Sequence, residues 1–156
     1  MKLPTLILAG HALAFSAFAG PLAFGVNGQG LLFRFDVDSP AVVTEIGNLG
    51  FVPVGIDFRP STSTLYALGV GRATTQLYTV NIATGAATPV GAGFATSGMN
   101  YNLGGQTIGF DFNPTTLQAD SSMRIRVVGS GGANLRLNSS TGYTARRRPT
   151  PGRSFR

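Results

Sequence analysis

Apolar and polar residues alternate along most of this chain in short runs, and Gly, Asn, Asp and Pro punctuate the runs. Leu31-Leu32-Phe33-Arg34-Phe35-Asp36 and Gln76-Leu77-Tyr78-Thr79-Val80-Asn81 place every second side chain on one face, the period of a half-buried strand. Leu22-Ala23-Phe24-Gly25, Val42-Val43-Thr44-Glu45-Ile46-Gly47, Leu65-Tyr66-Ala67-Leu68-Gly69, Arg124-Ile125-Arg126-Val127-Val128-Gly129 and Asn134-Leu135-Arg136-Leu137-Asn138 read the same way, being rich in branched and aromatic residues and joined by turn formers. Beyond the first nineteen residues, Gly or Pro interrupts almost every window long enough for three helical turns, so no capped 3.6-residue stripe survives. The body is predicted to be all-β.

One string occurs twice. Val54-Gly55-Ile56-Asp57-Phe58-Arg59-Pro60 returns 54 residues later as Ile108-Gly109-Phe110-Asp111-Phe112-Asn113-Pro114. The hairpin of Leu65–Gly69 and Gln76–Asn81, closed by Ala83-Thr84-Gly85, returns as Arg124–Gly129 and Asn134–Asn138, closed by Ser140-Thr141-Gly142. A third copy of the hairpin lies at Leu22–Gly25 and Leu31–Asp36, followed by Asp38-Ser39-Pro40. One unit is thus about four antiparallel strands in about 54 residues, the size of a propeller blade. Residues 20–142 hold about two and a quarter such units, whereas closed propellers have about four or more. The expected architecture is an incomplete, β-propeller-like domain of about two blades. In it, faces carrying Ile56, Phe58, Phe110 and Phe112 are expected to be partly exposed, and open strand edges invite self-association.

Residues 1–19 are of another kind. Met1-Lys2 opens a run that is nearly all apolar or small, and Ala17-Phe18-Ala19 satisfies the small-x-small rule for signal peptidase, so a signal peptide cleaved between Ala19 and Gly20 is expected. The run is short for a membrane span and contains Pro4, Gly10 and His11. The expected location is secreted, periplasmic or at the cell surface.

Removing that leader removes the only His, His11, and the only Lys, Lys2; the chain has no Cys at all. Without those residue types there are no Cys/His zinc sites, thiol nucleophiles, Schiff bases or Ser-His-Asp triads, and no disulfides. No catalytic, cofactor or metal residues are assigned.

The net charge of +6 also resolves into parts. Residues 20–142 carry six Arg and six acids, and the surplus is Lys2 with Arg146, Arg147, Arg148, Arg153 and Arg156. A body without a basic cluster argues against nucleic acid as a partner. Residues 143–156 lose the strand alternation and are expected to be a disordered basic tail, with a shifted reading frame as the favoured origin of its Arg- and Pro-rich text.

Two repeat-equivalent carboxylates, Asp57 and Asp111, invite a functional claim. Paired carboxylates do acid/base work or hold a hard cation. A residue that recurs once per unit, however, more often solves a backbone problem, and an Asp just before x-Pro is suited to accept N–H groups of the following turn. Gly55, Asp57, Pro60, Gly109, Asp111 and Pro114 are therefore read as structural. Asp36-Val37-Asp38 lacks the Gly and distal Glu of a Ca²⁺ loop. Gly69-Val70-Gly71 and Gly129-Ser130-Gly131-Gly132 fall between strands, where hairpin turns explain them better than phosphate binding.

These strings, in this order, resemble the bacterial family catalogued as domain of unknown function 4394 over about Phe24 to Gly142. The resemblance implies exported proteins with propeller-like repeats and no assigned activity. It supplies no catalytic residues, and the likeness is expected to stop after Gly142. Two function classes follow. One is an exported, non-enzymatic binding or scaffold module, meeting extracellular polysaccharide or protein through loops such as Phe94–Gly105, with Met99-Asn100-Tyr101-Asn102 at its centre. The alternative is a carboxylate-only hydrolase or lyase in which Asp57 and Asp111 converge on one cleft.

Overall fold

In the computed structural model, residues 20–71, 74–93, 103–115 and 122–144 are described. They form ten strands and no helix, in three antiparallel sheets. The first sheet joins β1 (Leu22–Val26), β2 (Leu31–Asp36) and β3 (Ser39–Asn48). The second joins β4 (Pro53–Arg59), β5 (Thr64–Val70), β6 (Thr75–Val80) and β7 (Ala87–Val90). The third joins β8 (Ile108–Phe112), β9 (Arg124–Gly129) and β10 (Asn134–Asn138). Each strand pairs with its neighbour in sequence, and none of the sheets closes into a barrel, as expected of an incomplete propeller-like fold.

The sequence repeat is a repeat of strand position. The Gly-x-Asp-Phe strands are β4 and β8, the first strands of their sheets; the duplicated hairpins are β5–β6 and β9–β10. The early hairpin copy is β1–β2, so the first sheet holds the second, third and fourth positions of the unit. In the third sheet the fourth position begins with a single bridge, Leu137 to Thr144, which matches the Val80–Ala87 rung of the second sheet. The sheet therefore runs two residues past the boundary expected at Gly142.

The closing turns repeat atom for atom. Asn81 Oδ1 accepts the Ala83 N–H (2.9 Å) and the Asn81 carbonyl accepts the Gly85 N–H (2.8 Å). Asn138 Oδ1 accepts the Ser140 N–H (2.7 Å) and its carbonyl accepts the Gly142 N–H (2.8 Å). Gly85 and Gly142 both take positive φ, 75° and 70°, a region open to Gly at no steric cost. The Thr-Gly turns also carry sheet-to-sheet contact. A Cβ at Gly47 would strike the Thr84 carbonyl, and a Cβ at Gly91 would strike the Thr141 carbonyl, so backbone meets backbone at both junctions.

Two cores lie between the three sheets. Leu32, Leu49, Leu65, Ala67 and Val80 are buried between the first and second, with Phe24, Ile56 and Phe58 packed against them. Tyr66, Leu68 and Leu77 meet Phe112, Ile125, Val127, Leu135 and Leu137 between the second and third, with Phe110 alongside. The partial exposure expected of Ile56, Phe58 and Phe110 is what is seen, whereas Phe112 is buried, only 2% exposed; Ile56 and Phe58 pack against the first core, and Phe110 and Phe112 belong to the second. Each core has an edge-to-face aromatic pair, Phe24–Phe58 at 5.4 Å and Tyr66–Phe112 at 5.1 Å between ring centroids, a geometry the ring quadrupoles favour.

Burial sets the expected response to truncation. Leu68→Ala, at a fully buried site, should cost about 2–5 kcal/mol. Val42→Ala, at a site 69% exposed, should change stability by less than about 0.5 kcal/mol. Chemical denaturation of the two variants against the parent chain measures both; comparable losses would contradict the core assignment.

Candidate functional site

The two repeat-equivalent aspartates sit in different environments. On β4, alternation sends Gly55 and Asp57 to the side facing the third sheet. A Cβ on Gly55 would lie 2.5 Å from Phe110 Cβ, so Gly lets β8 approach β4 closely. Two residues on, Asp57 Oδ2 accepts the backbone N–H of Phe112 at 2.7 Å, while Oδ1 accepts the N–H of Phe58 at 2.8 Å. Both oxygens of this half-buried carboxylate thus hold backbone, and one holds the neighbouring sheet. The turn-capping role expected for Asp57 is not what is seen: the turn after β4 is closed by the Arg59 carbonyl, which accepts the Thr62 and Ser63 N–H groups.

Asp111 occupies the same strand position on β8 but is exposed, and it lies across from Arg126 in the β8–β9 register. Gly109 is exposed beside it, and a Cβ there would press on Val128 of its own sheet. Pro60 and Pro114 end the repeated phrase and lie in the turns after β4 and β8; in the second, Asn113 Oδ1 accepts the Thr115 N–H at 3.1 Å. Asp36 accepts the N–H groups of Gly20 and Asp38 through its two oxygens. Among the described residues there is no cluster of three or more Asp, Glu, His or Cys suited to a metal. The Met99–Asn102 segment, the leader with Ala19, and the arginines from Arg146 onward lie outside the described residues.

A different group of side chains does converge. Arg124 and Arg126 on β9, Arg136 on β10 and Asn113 line an open cleft of about 90 Å³ on the outer face of the third sheet, together with Ile125, whose side chain is buried in the core behind it. Strand alternation and pairing explain the cluster: Arg124 and Arg126 are two apart on one strand, and Arg126 is directly opposite Arg136. Arg126 donates to Asn134 Oδ1 at 3.1 Å. Sequence reading counted these arginines only toward net charge. Their signal was available in the repeat, since the equivalent positions in the second sheet hold Thr64, Tyr66 and Thr79.

Asp57→Ala should lower stability by about 1.5–3 kcal/mol, because it orphans the Phe112 and Phe58 amides that the carboxylate serves. Asp111→Ala should stay within about 0.5 kcal/mol. Equal losses for the two variants in thermal or urea unfolding would remove the clamp assigned to Asp57.

A family model described as "Domain of unknown function (DUF4394)" matches residues 31–151. The match therefore continues past Gly142, where the likeness was expected to end. No curated protein and no solved structure matches the chain.

Proposed function

Given that the chain belongs to the DUF4394 family, whose description names no activity, we propose that it is an exported, non-enzymatic module that binds a partner through its exposed sheet faces. The observation that carries this reading is the use made of Asp57. A carboxylate whose two oxygens are engaged by backbone N–H groups, one of them from the next sheet, is part of the scaffold. Its equivalent, Asp111, is exposed opposite Arg126 on the outer face. An acid/base pair needs both carboxylates directed at one reacting bond, so this arrangement favours binding over hydrolysis or elimination. Export rests on the composition of residues 1–19.

The chain should be slowed in native gels containing a polysaccharide it recognises and should release no new reducing ends from it. Turnover that disappears with Asp57→Asn and with Asp111→Asn, both variants remaining folded, would reinstate the hydrolase or lyase.

A further inference from the structure

The outer face of the third sheet departs from the other two in a consistent way. Register makes Phe24, Tyr66 and Arg126 equivalent, and likewise Leu32, Leu77 and Asn134. In the first two sheets these positions send an aromatic ring and a fully buried leucine into the next core. In the third sheet they hold an arginine and an asparagine that bond to each other. This face is made for polar company rather than for a fourth layer of apolar side chains.

It also holds more positive charge than the sheet itself neutralises. Arg126 and Arg136 stand directly across from one another, an unfavourable like-charge pair, and Arg124 is on the same face. Asp111 is the one acid paired into that face among the described residues. The cleft is small, about 90 Å³, enough to seat one anionic group with its immediate neighbours rather than a duplex backbone. Its lining mixes guanidinium groups with the Asn113 amide, and Asp111, the cross-strand partner of Arg126, lies on the same face of the sheet. A nucleic-acid backbone would be repelled by that carboxylate, whereas sugar hydroxyls would donate to it.

We propose that this cleft binds the carboxylate of a uronic-acid polysaccharide. Arg126 and Arg136 grip the carboxylate, for which their planar forks are matched. Arg124 supplies further positive charge, and Asn113 with Asp111 meets the sugar hydroxyls. The site deepens the binding-module reading and rests on it.

The test uses the full chain with Arg146, Arg147, Arg148, Arg153 and Arg156 changed to Ser, which removes the basic tail as a competing site. The probe is polygalacturonate in affinity electrophoresis, with neutral dextran and duplex DNA as comparisons. The variant Arg124→Thr/Arg126→Tyr/Arg136→Thr installs the second sheet's residues; if its melt is altered, Arg136→Thr alone is read. Polygalacturonate should retain the parent, dextran and DNA should not, and the variant should bind at least about tenfold more weakly. Unchanged retention of the variant would overturn the site. So would equal retention by DNA, or a variant that alters only sedimentation, which would make the face a contact between copies. Retention by dextran that the variant leaves intact would discard this cleft and keep the binding module. Depolymerisation of polygalacturonate would discard the module itself.

Discussion

The arrangement of the second and third sheets depends on one carboxylate placed between two strands that are not hydrogen-bonded to each other in a ladder. Asp57 belongs to β4 and accepts the N–H of its own neighbour, Phe58, and of Phe112 on β8. That contact needs the two strands to be close, and Gly55 supplies the room by presenting no Cβ to Phe110. A charged acceptor makes stronger hydrogen bonds than a neutral one, and both of its donors are backbone groups that would otherwise lack a ladder partner. The Gly-x-Asp spacing follows from this: residues two apart on a strand share a face, so one opens the gap and the other spans it.

Two further contacts recur at both junctions. Phe24–Phe58 and Tyr66–Phe112 fill the interior with crossed rings. At the far side, Gly47 and Gly91 bring one sheet's exit strand against the Thr-Gly turn of the next. Glycine is required there because a side chain would collide with a carbonyl oxygen, and Gly91 additionally takes φ of 68°. Aspartate, aromatic pair and glycine contact thus form a junction kit spread from the inner strand to the outer one. The third sheet presents the accepting half of this kit to the second sheet, but its other face carries arginine and asparagine instead of the donating half. The same geometry that stacks sheets elsewhere therefore leaves a charged cleft here.

This division bears on function. Residues that recur in the repeat, such as Asp57 and its neighbours, are occupied in holding sheets together. Residues that differ from both other copies, Arg124, Arg126 and Asn134, lie with Arg136 on the outer face of the third sheet. A repeated carboxylate draws the eye as a catalytic candidate, but both oxygens of Asp57 are engaged by backbone N–H groups, and chemistry specific to one partner is better sought where the copies differ.

Much of this was legible in the chain itself. Period-two alternation, Gly- and Pro-rich breaks and the doubled phrase determined an all-β body, the order of its strands and the equivalence of its hairpins, because these depend on local preferences and on spacing. The Asn-x-x-Thr-Gly turns were fixed locally too, since both their donors and acceptors lie within five residues. Which faces are covered was not legible. That Ile56 and Phe58 pack with the first sheet, and Phe110 and Phe112 with the second, depends on which sheets meet. The role of Asp57 was hidden because its second donor lies 55 residues away in sequence. The arginine cleft was hidden because cross-strand register, not order along the chain, sets Arg136 opposite Arg126. Sequence determined the strands and the turns; tertiary structure decided which strand faces meet, and so which side chains are left to bind.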